Sequence, residues 1–279
     1  MWHLVADSSC DMHDFEDQEH GIRLSTIPFK INFADREYID DDKLQISEVM
    51  DMIDSSKEAG KTACPSPGDW EKLYSEEGHA LAFTISQNLS GSFNSAVAGM
   101  HMAKERDPEK KVAVIDSWAT GPATVIIIDK VIELIKAGEP FEKVVEKAEE
   151  QSHNTHTIFA LCSYNNLIKN GRMKPLAGFF AKALKLWGVG IATDDGRIKI
   201  KGSARGERKI IQSIIEDMKE RRSRDNEVVI SHADNLPLAQ KLKEAIMQEF
   251  AMSEDRIKVI PTRGLDCFYA ERSGIIVSY

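Results

Sequence analysis

Small hydroxyl-bearing residues follow three predicted strands at the points where those strands end. Ser8 and Ser9 follow the first strand, the segment 86–92 follows a buried strand, and Asp116-Ser117 ends a third. Ligands of open α/β sheets bind beyond the carboxyl ends of the strands. These side chains are therefore candidates for one shared binding site.

The middle segment, 86–92, runs from a strand through a Ser- and Gly-rich turn into a helix that begins at Ser92. Its hydroxyls and the free N–H groups at the helix start would form an anion site without a cationic side chain. Capping of the helix by Ser90 or Ser92 explains the same residues equally well. The residues alone leave both interpretations open.

Common catalytic and nucleotide-binding motifs are absent: the sequence has no G-x-G-x-x-G, G-x-S-x-G or H-E-x-x-H. Gly60-Lys61-Thr62 resembles the end of a P-loop, but Ser55 stands where its first glycine belongs. Asp40-Asp41-Asp42 lacks the spacing of a calcium loop and is interpreted as a turn or a solvated acidic patch. We therefore predict no catalytic residue, no metal and no cofactor.

Composition narrows the class of protein. The chain has 279 residues with 42% hydrophobic and 29% charged residues, which is typical of a globular protein of about two domains. The net charge of -9 argues against nucleic-acid binding. The four cysteines are far apart, which favours a reducing cytoplasm over a disulfide framework. The longest apolar run, 125–128, is too short to cross a bilayer.

Alternating strand and helix patterns predict an α/β fold with two α/β domains. We place the N-terminal domain at 1–154, with a mainly parallel sheet, and the C-terminal domain at 155–279. Asp194-Asp195-Gly196 predicts a hairpin in the second half, so that sheet should be mixed. A single strand at 25–33, a solvated loop at 11–19 and a helix at 175–187 are further predictions. The basic segment 197–224 is interpreted as a solvated face or as a docking patch for an acidic partner.

Five short segments resemble the DegV family in order and spacing over nearly the whole chain. Thr62-Ala63-Cys64-Pro65-Ser66-Pro67 resembles its K-T-S-x-P-S segment, and 85–96 resembles I-S-x-x-L-S-G-T-x-x-S-A, with Ser92 in place of Thr. Asp7-Ser8-Ser9, 114–117 and Asn170-Gly171-Arg172 resemble T-D-S, V-I-D-S and G-G-R. The family usually ends in His-x-Gly-Pro-Gly, whereas the matching stretch here begins at Tyr269 and reads Y-A-E-R-S-G.

The resemblance implies a carrier that binds one long-chain fatty acid in a tunnel between its two domains and performs no chemistry. It implies that Thr62 and Ser90 hold the carboxylate, and that some members present the fatty acid to a kinase. From the same segments we take these ligand-binding candidates: Thr62, Ser86, Ser90, Gly91, Ser92 and Arg172.

A buried acyl chain needs apolar walls, because each buried methylene contributes about 0.8 kcal/mol. Apolar residues that could supply such walls are Ile126 to Ile128, Phe159, Leu161, Leu176, Phe179, Phe180, Leu184 and Leu186. The alternative function is an enzyme acting on a small phosphorylated or carboxylated metabolite, with Asp7 or Asp116 as base or metal ligand. A third is a protein-docking module that uses the basic segment.

Overall fold

A computed structural model of the chain describes residues 1–33, 36–56, 59–174, 186–221 and 227–279. The strands of the first half are β1 (Trp2–Asp7), β2 (Phe15–Asp17), β3 (Ile22–Ile27), β4 (Lys30–Phe33), β5 (Arg36–Ile39), β6 (Lys61–Ala63), β7 (His79–Thr84) and β8 (Val112–Asp116). The strands of the second half are β9 (Thr157–Leu161), β10 (Leu186–Ala192), β11 (Ile198–Arg205), β12 (Val228–His232), β13 (Ile257–Pro261) and β14 (Ile275–Ser278). The helices are α1 (Ile46–Ser55), α2 (Pro67–Tyr74), α3 (Ser92–Arg106), α4 (Pro122–Lys136), α5 (Phe141–Asn154), α6 (Asn165–Lys169), α7 (Glu207–Arg221), α8 (Leu236–Phe250) and α9 (Gly264–Ala270).

The first sheet has the strand order β2-β3-β1-β7-β8 and is parallel except for β2, which confirms the mainly parallel prediction. The carboxyl ends of β1, β7 and β8 therefore meet at one edge. Ser92 Oγ donates to Asp7 Oδ2 at 2.6 Å, and the N–H of Gln87 donates to Asp116 Oδ2 at 3.1 Å. The polar segments at the three strand ends thus contact one another, as the sequence indicates.

The prediction of one strand over residues 25–33 is wrong, because the chain leaves the first sheet at Pro28. The segment forms β3 and then β4, which belongs to a separate antiparallel sheet of order β5-β4-β6. Pro28 has no N–H for a continuous ladder, so the break falls there. Strand β6 places Thr62 opposite Ile31 of β4.

The second sheet has the order β11-β10-β9-β14-β12-β13 and is mixed, as predicted, since β12 and β13 run parallel and the other neighbours antiparallel. The predicted hairpin joins β10 to β11, and Gly196 occupies its turn at φ +71°. Most of the predicted helix at 175–187 lies outside the described residues. Its last two residues, Leu186 and Trp187, instead begin β10.

Helix α4 is apolar on nearly all sides because it packs between the two large sheets. Ile127, Ile128 and Val131 join the core of the first sheet. Val125 and Ile126 pack against Val229 of β12 in the second. The stretch 126–128, one of several candidates for a cavity wall, is therefore structural core. Within the described residues, no helix is long and apolar enough to cross a membrane.

Two acidic segments that were predicted to be solvated contain buried aspartates. Residues 11–19 contain β2, and Asp11 is buried. Asp40, interpreted from sequence as part of a turn or solvated patch, is 1% exposed. Its carboxylate accepts the backbone N–H groups of Gly264 and Leu265 at 2.8 and 2.9 Å and the hydroxyl of Ser8 at 2.7 Å. It therefore caps the start of α9 and ties that helix to the first half of the chain.

Candidate functional site

A cavity lies between the loops at the carboxyl end of the first sheet and the face of the second. It has two adjoining parts, of about 420 Å³ and about 510 Å³ of atom-free space, some of which is open to solvent. We call the first the hydroxyl chamber, because Thr62 and Ser90 line it, and the second the apolar chamber, because Phe159, Leu161 and Ile276 line it. Both parts are lined by Leu89, Thr120, Leu167, Ile198, Asp266 and Tyr269, so they adjoin each other.

Thr62 reaches the hydroxyl chamber from β6, one of the strands of the small third sheet. Its Oγ1 lies 2.8 Å from the hydroxyl oxygen of Tyr269, and either atom can donate. Tyr269 stands near the end of α9, so this bond joins the small sheet to a helix of the second half. Two neighbouring hydroxyls can turn one hydrogen toward a ligand while keeping the bond between them.

Ser90 lies on the loop between β7 and α3. Its N–H donates to the carbonyl of Ser86 at 3.1 Å, and its Oγ accepts the N–H of Ser92 at 3.3 Å. Because Ser90 Oγ acts as an acceptor in that bond, its own hydrogen can be donated into the chamber. The cap of α3 is Gly91, with no side-chain bond, so neither predicted serine is the cap residue.

The other three candidates from this loop do not line the cavity. Ser92 is fully buried and donates to Asp7. Ser86 Oγ accepts the N–H of Asn88 at 3.2 Å, and Gly91 is exposed. The structure thus brings Thr62, Ser90 and Arg172 to the chamber, while Ser86, Gly91 and Ser92 shape the loop that carries Ser90.

Arg172 lies at the side of the hydroxyl chamber and is partly exposed. Its Nε donates to the carbonyl of Leu89 at 3.1 Å, and its guanidinium carbon lies 5.9 Å from the ring centre of Tyr269. These contacts hold a positive charge beside the hydroxyls. Such a charge favours a bound anion.

Tyr269 is one of the lining residues that the sequence motifs did not assign to the site. The available signal was its position, because it stands where the DegV pattern has its histidine. Burial raises the pKa of Tyr269, so its hydroxyl stays protonated and able to donate. The hydroxyl chamber is therefore lined by the hydroxyls of Thr62, Ser90 and Tyr269, together with that of Thr120, which donates to Asp266.

The aspartates of the alternative enzymatic hypothesis have other partners. Asp7 is buried and accepts hydrogen bonds from Ser9, Ser92 and the N–H of Ile85, while burial raises its pKa to about 6. Asp116 accepts the N–H groups of Gln87 and Trp118. Both carboxylates therefore hold the loops in shape. In the described part of the chain no group of three or more His, Cys, Asp or Glu could hold a metal ion.

The two halves also touch beside the apolar chamber, at the hairpin turn. Asn88 Nδ2 donates to the carbonyl of Asp195 at 2.7 Å, and Arg197 Nη2 donates to Asn88 Oδ1 at 3.0 Å. A Cβ at Gly196 would lie 2.2 Å from Ser86 Oγ, so a larger residue cannot fit there without displacement. The loop that carries Ser90 is thus closed against the second half.

Comparison with known proteins gives consistent matches over all or nearly all of the chain. The profile described as "Uncharacterised protein, DegV family" matches residues 1–263. A DegV domain-containing protein of Streptococcus pneumoniae is 32% identical over 278 residues, covering 100% of this chain and 98% of that protein.

Two solved structures are similar throughout. The Fatty Acid Kinase (Fak) B3 protein of Streptococcus pneumoniae, loaded with linoleic acid, has a TM-score of 0.94 at 32% identity and covers 100% of this chain and 98% of that chain. A DegV family protein from Eubacterium eligens, loaded with heptadecanoic acid, has a TM-score of 0.93 at 30% identity, with 100% and 99% coverage.

Proposed function

The chain belongs to the DegV family, and from this premise we propose that it binds one long-chain fatty acid in the cavity between its sheets. The carboxylate lies in the hydroxyl chamber against Thr62, Ser90 and Tyr269, and the acyl chain extends into the apolar chamber. The observation that carries the proposal is that a hydroxyl-lined space adjoins an apolar one, with six lining residues in common. The fatty acids in the two similar structures support it.

The two chambers divide the binding energy unequally. A buried chain of fourteen methylenes gains about 11 kcal/mol before ordering costs, at about 0.8 kcal/mol each. Each hydrogen bond to the carboxylate adds about 1.5–3 kcal/mol before desolvation. The tail therefore sets most of the affinity, and the hydroxyls keep a buried carboxylate from being unpaired.

We further propose that residues 1–154 form the domain that carries the carboxylate-binding motifs, with Thr62 and Ser90, and that residues 155–279 form the domain that covers the acyl chain and adds Tyr269 to the hydroxyl chamber. The three sheets support this division, because every strand of the first sheet and of the small third sheet lies in β1 to β8, whereas the second sheet is built from β9 to β14. The protein then acts as a carrier in the cytoplasm that presents its fatty acid to a kinase and makes no bond itself. The name of the Fak B3 protein supports presentation to a kinase. The four free cysteines support a location in the reducing cytoplasm.

Native mass spectrometry of the mildly purified chain tests the binding proposal directly. We expect an added mass of fatty-acid size, and uptake of one palmitate after delipidation. Ser90→Ala and Thr62→Ala should each weaken palmitate binding by about 1–3 kcal/mol. Ser203→Ala, on the exposed face of β11, is the matched control and should bind as the wild type does.

A clean apo mass with no palmitate uptake would contradict the proposal. Stabilisation by sugar phosphates or nucleotides in a thermal-shift screen, without stabilisation by fatty acids, would favour the enzymatic alternative. The carrier role is tested separately, by incubating the loaded chain with ATP. The fatty acid should be recovered unchanged unless a fatty acid kinase subunit is added.

A further inference from the structure

Two buried carboxyl groups from different halves of the chain meet behind the cavity. Asp11 follows β1 and is 6% exposed, and Asp266 lies on α9 and is 3% exposed. In each, one oxygen is occupied: Asp11 Oδ1 accepts the N–H of Arg263 and Asp266 Oδ1 accepts the hydroxyl of Thr120, both at 2.7 Å. The second oxygen of each, Oδ2, is buried without a partner at hydrogen-bond distance, and the hydroxyl of Ser231 is close enough to Asp11 to lower its pKa.

The two unpartnered oxygens face the same point. A Cβ built on Gly121 would lie 2.3 Å from Asp266 Oδ2 and 2.6 Å from Asp11 Oδ2, so the oxygens are neighbours across the space above this glycine. Gly121 has φ +49° and donates its N–H to the carbonyl of Ser9 at 2.7 Å. The backbone is thus held where no side chain can separate the two carboxyl groups.

The surroundings accommodate one negative charge on this pair more easily than two. Burial raises the pKa of Asp11 to about 7, and burial with the nearby Asp11 raises the pKa of Asp266 well above its usual range. The other polar and titratable groups that face the pair are Asp7, Asp40, Arg263, Ser231, Thr120 and the thiols of Cys10 and Cys267. Among these, Arg263 supplies one positive charge, and Asp7 and Asp40 are further carboxyl groups.

We propose that Asp11 and Asp266 share one proton, and that this hydrogen-bonded carboxyl pair positions α9 against the first half of the chain. The shared proton turns two unpartnered oxygens into one donor and one acceptor, which accounts for both at once. Tyr269 follows Asp266 by three residues, about one helical turn along α9. The pair therefore sets the position of the tyrosine hydroxyl beside Thr62, a consequence for ligand binding that rests on the proposed function.

Single asparagine substitutions separate proton sharing from ordinary structural roles. In Asp11→Asn or Asp266→Asn the amide oxygen keeps its present donor, and the amide NH₂ donates to the partner carboxylate without needing a proton. In the double variant two NH₂ groups face each other with no acceptor between them. Each single variant should therefore fold, and the double variant should be less stable than the two single effects together predict.

The decisive measurement is urea unfolding of the delipidated full chain between pH 7 and pH 9. A proton held by the folded pair and absent from the unfolded chain makes the wild type lose stability as pH rises. Its unfolding constant should increase by up to about tenfold per pH unit until the pair ionises. Both single variants should lose this slope between pH 7 and pH 8, and Asp107→Asn, an exposed control, should keep it. Nearer pH 9 every variant should lose some stability, because the buried thiols of Cys10 and Cys267 ionise more easily in the unfolded chain.

Single variants that keep the wild-type slope, or a double variant whose effect is simply additive, would overturn the proposal. If potassium or calcium at constant ionic strength stabilises the wild type but neither single variant, a bound cation rather than a shared proton lies between the two carboxyl groups, and the proposal is wrong. If a variant does not fold, proton sharing is tested in the wild type labelled with ¹³C-aspartate, by the infrared band of a protonated carboxyl group. That band must be present at pH 7 and vanish at alkaline pH.

Palmitate titrations at pH 7 and pH 9 test the link to the cavity. The wild type should bind more weakly at pH 9, whereas Asp11→Asn, which does not line either chamber, should show no such change between the two pH values. Equal pH dependence in both proteins would remove the link to Tyr269. If neither binds palmitate at any pH, the proposed function fails, while the unfolding experiments still decide whether the proton is shared.

Discussion

The two large sheets reach the cavity in different ways. The first sheet contributes loops that follow its strands, and the polar groups of Ser90 and Thr120 stand on those loops. The second contributes side chains of its strands, with Phe159 and Leu161 on β9 and Ile276 on β14. The first sheet thus borders the cavity at the carboxyl ends of its strands, and the second sheet borders it with one face.

This difference explains how each side is supported. A strand face has its backbone bonds satisfied within the sheet, so its apolar side chains need only packing. Loops lack a ladder, and here buried carboxylates replace it: Asp7 and Asp116 accept N–H groups of the loops, and Asp40 accepts the hydroxyl of Ser8 together with N–H groups of α9. The structure of the hydroxyl chamber should therefore depend on hydrogen bonds, and binding in the apolar chamber should depend on the volume of that chamber.

The largest expected effect is at Asp40. Asp40→Ala would leave two N–H groups of α9 and the Ser8 hydroxyl without their acceptor, and Arg263 without its nearest buried charge. We expect a loss of about 3–5 kcal/mol in the free energy of unfolding. Urea denaturation measures it, and Asp42→Ala, whose carboxylate is half exposed, should cost less than about 1 kcal/mol. Equal effects would mean that the loops do not depend on the buried carboxylate.

The volume of the apolar chamber can be changed at Ala192, which lies at the end of β10 and lines it. Ala192→Trp should exclude about four methylenes of a long chain and weaken palmitate binding by about 3 kcal/mol. Decanoate should bind as it does to the wild type, because its shorter chain does not need that space. Calorimetric titration of both acids checks this. Equal weakening for both would show that the acyl tail does not extend to Ala192.

The third hydroxyl of the polar end is tested by Tyr269→Phe. The ring would still pack against Phe268, at a centroid distance of 4.8 Å, while the bond to Thr62 is lost. Palmitate affinity should fall by about 1–2 kcal/mol with little change in stability. Tyr38→Phe, on β5, is the matched control. An unchanged affinity would leave only Thr62 and Ser90 as hydroxyl partners.

The smallest effect should come from the turn after α9, where Ser273 has φ +78°. Ser273→Gly removes the steric cost of this conformation and should stabilise the protein by about 0.5–1 kcal/mol. Ser253→Gly, at φ -71°, should bring no such gain. Thermal denaturation distinguishes the two. Destabilisation by Ser273→Gly would indicate that the serine side chain itself supports the turn.

Local sequence patterns predicted most of the individual helices and strands. Ser66 begins α2 with a capping box that includes Asp69, as its spacing indicates, and the three polar strand ends converge because parallel strands order them. The small third sheet could not be predicted, since β6 has three residues and gains its stability from pairing with β4. Pairing between distant segments leaves no periodic trace in a short strand.

The site was predictable where a motif fixed it and not where long-range contacts built it. Thr62 and Ser90 come from recognisable segments, and both line the chamber. Tyr269 reaches the chamber because Asp40 binds the start of α9. Aspartates are usually exposed, so the sequence favoured a solvated patch at Asp40. Burial of a carboxylate depends on partners over two hundred residues away, which no local pattern contains.

The shared cavity has a consequence for cooperativity. Its walls come from both halves, so whatever fills it completes the packing of each. The delipidated chain should therefore melt over a broad range, with its halves partly uncoupled, and the filled chain in one sharp transition at higher temperature. Scanning calorimetry would then report occupancy through the width of the transition as well as its midpoint.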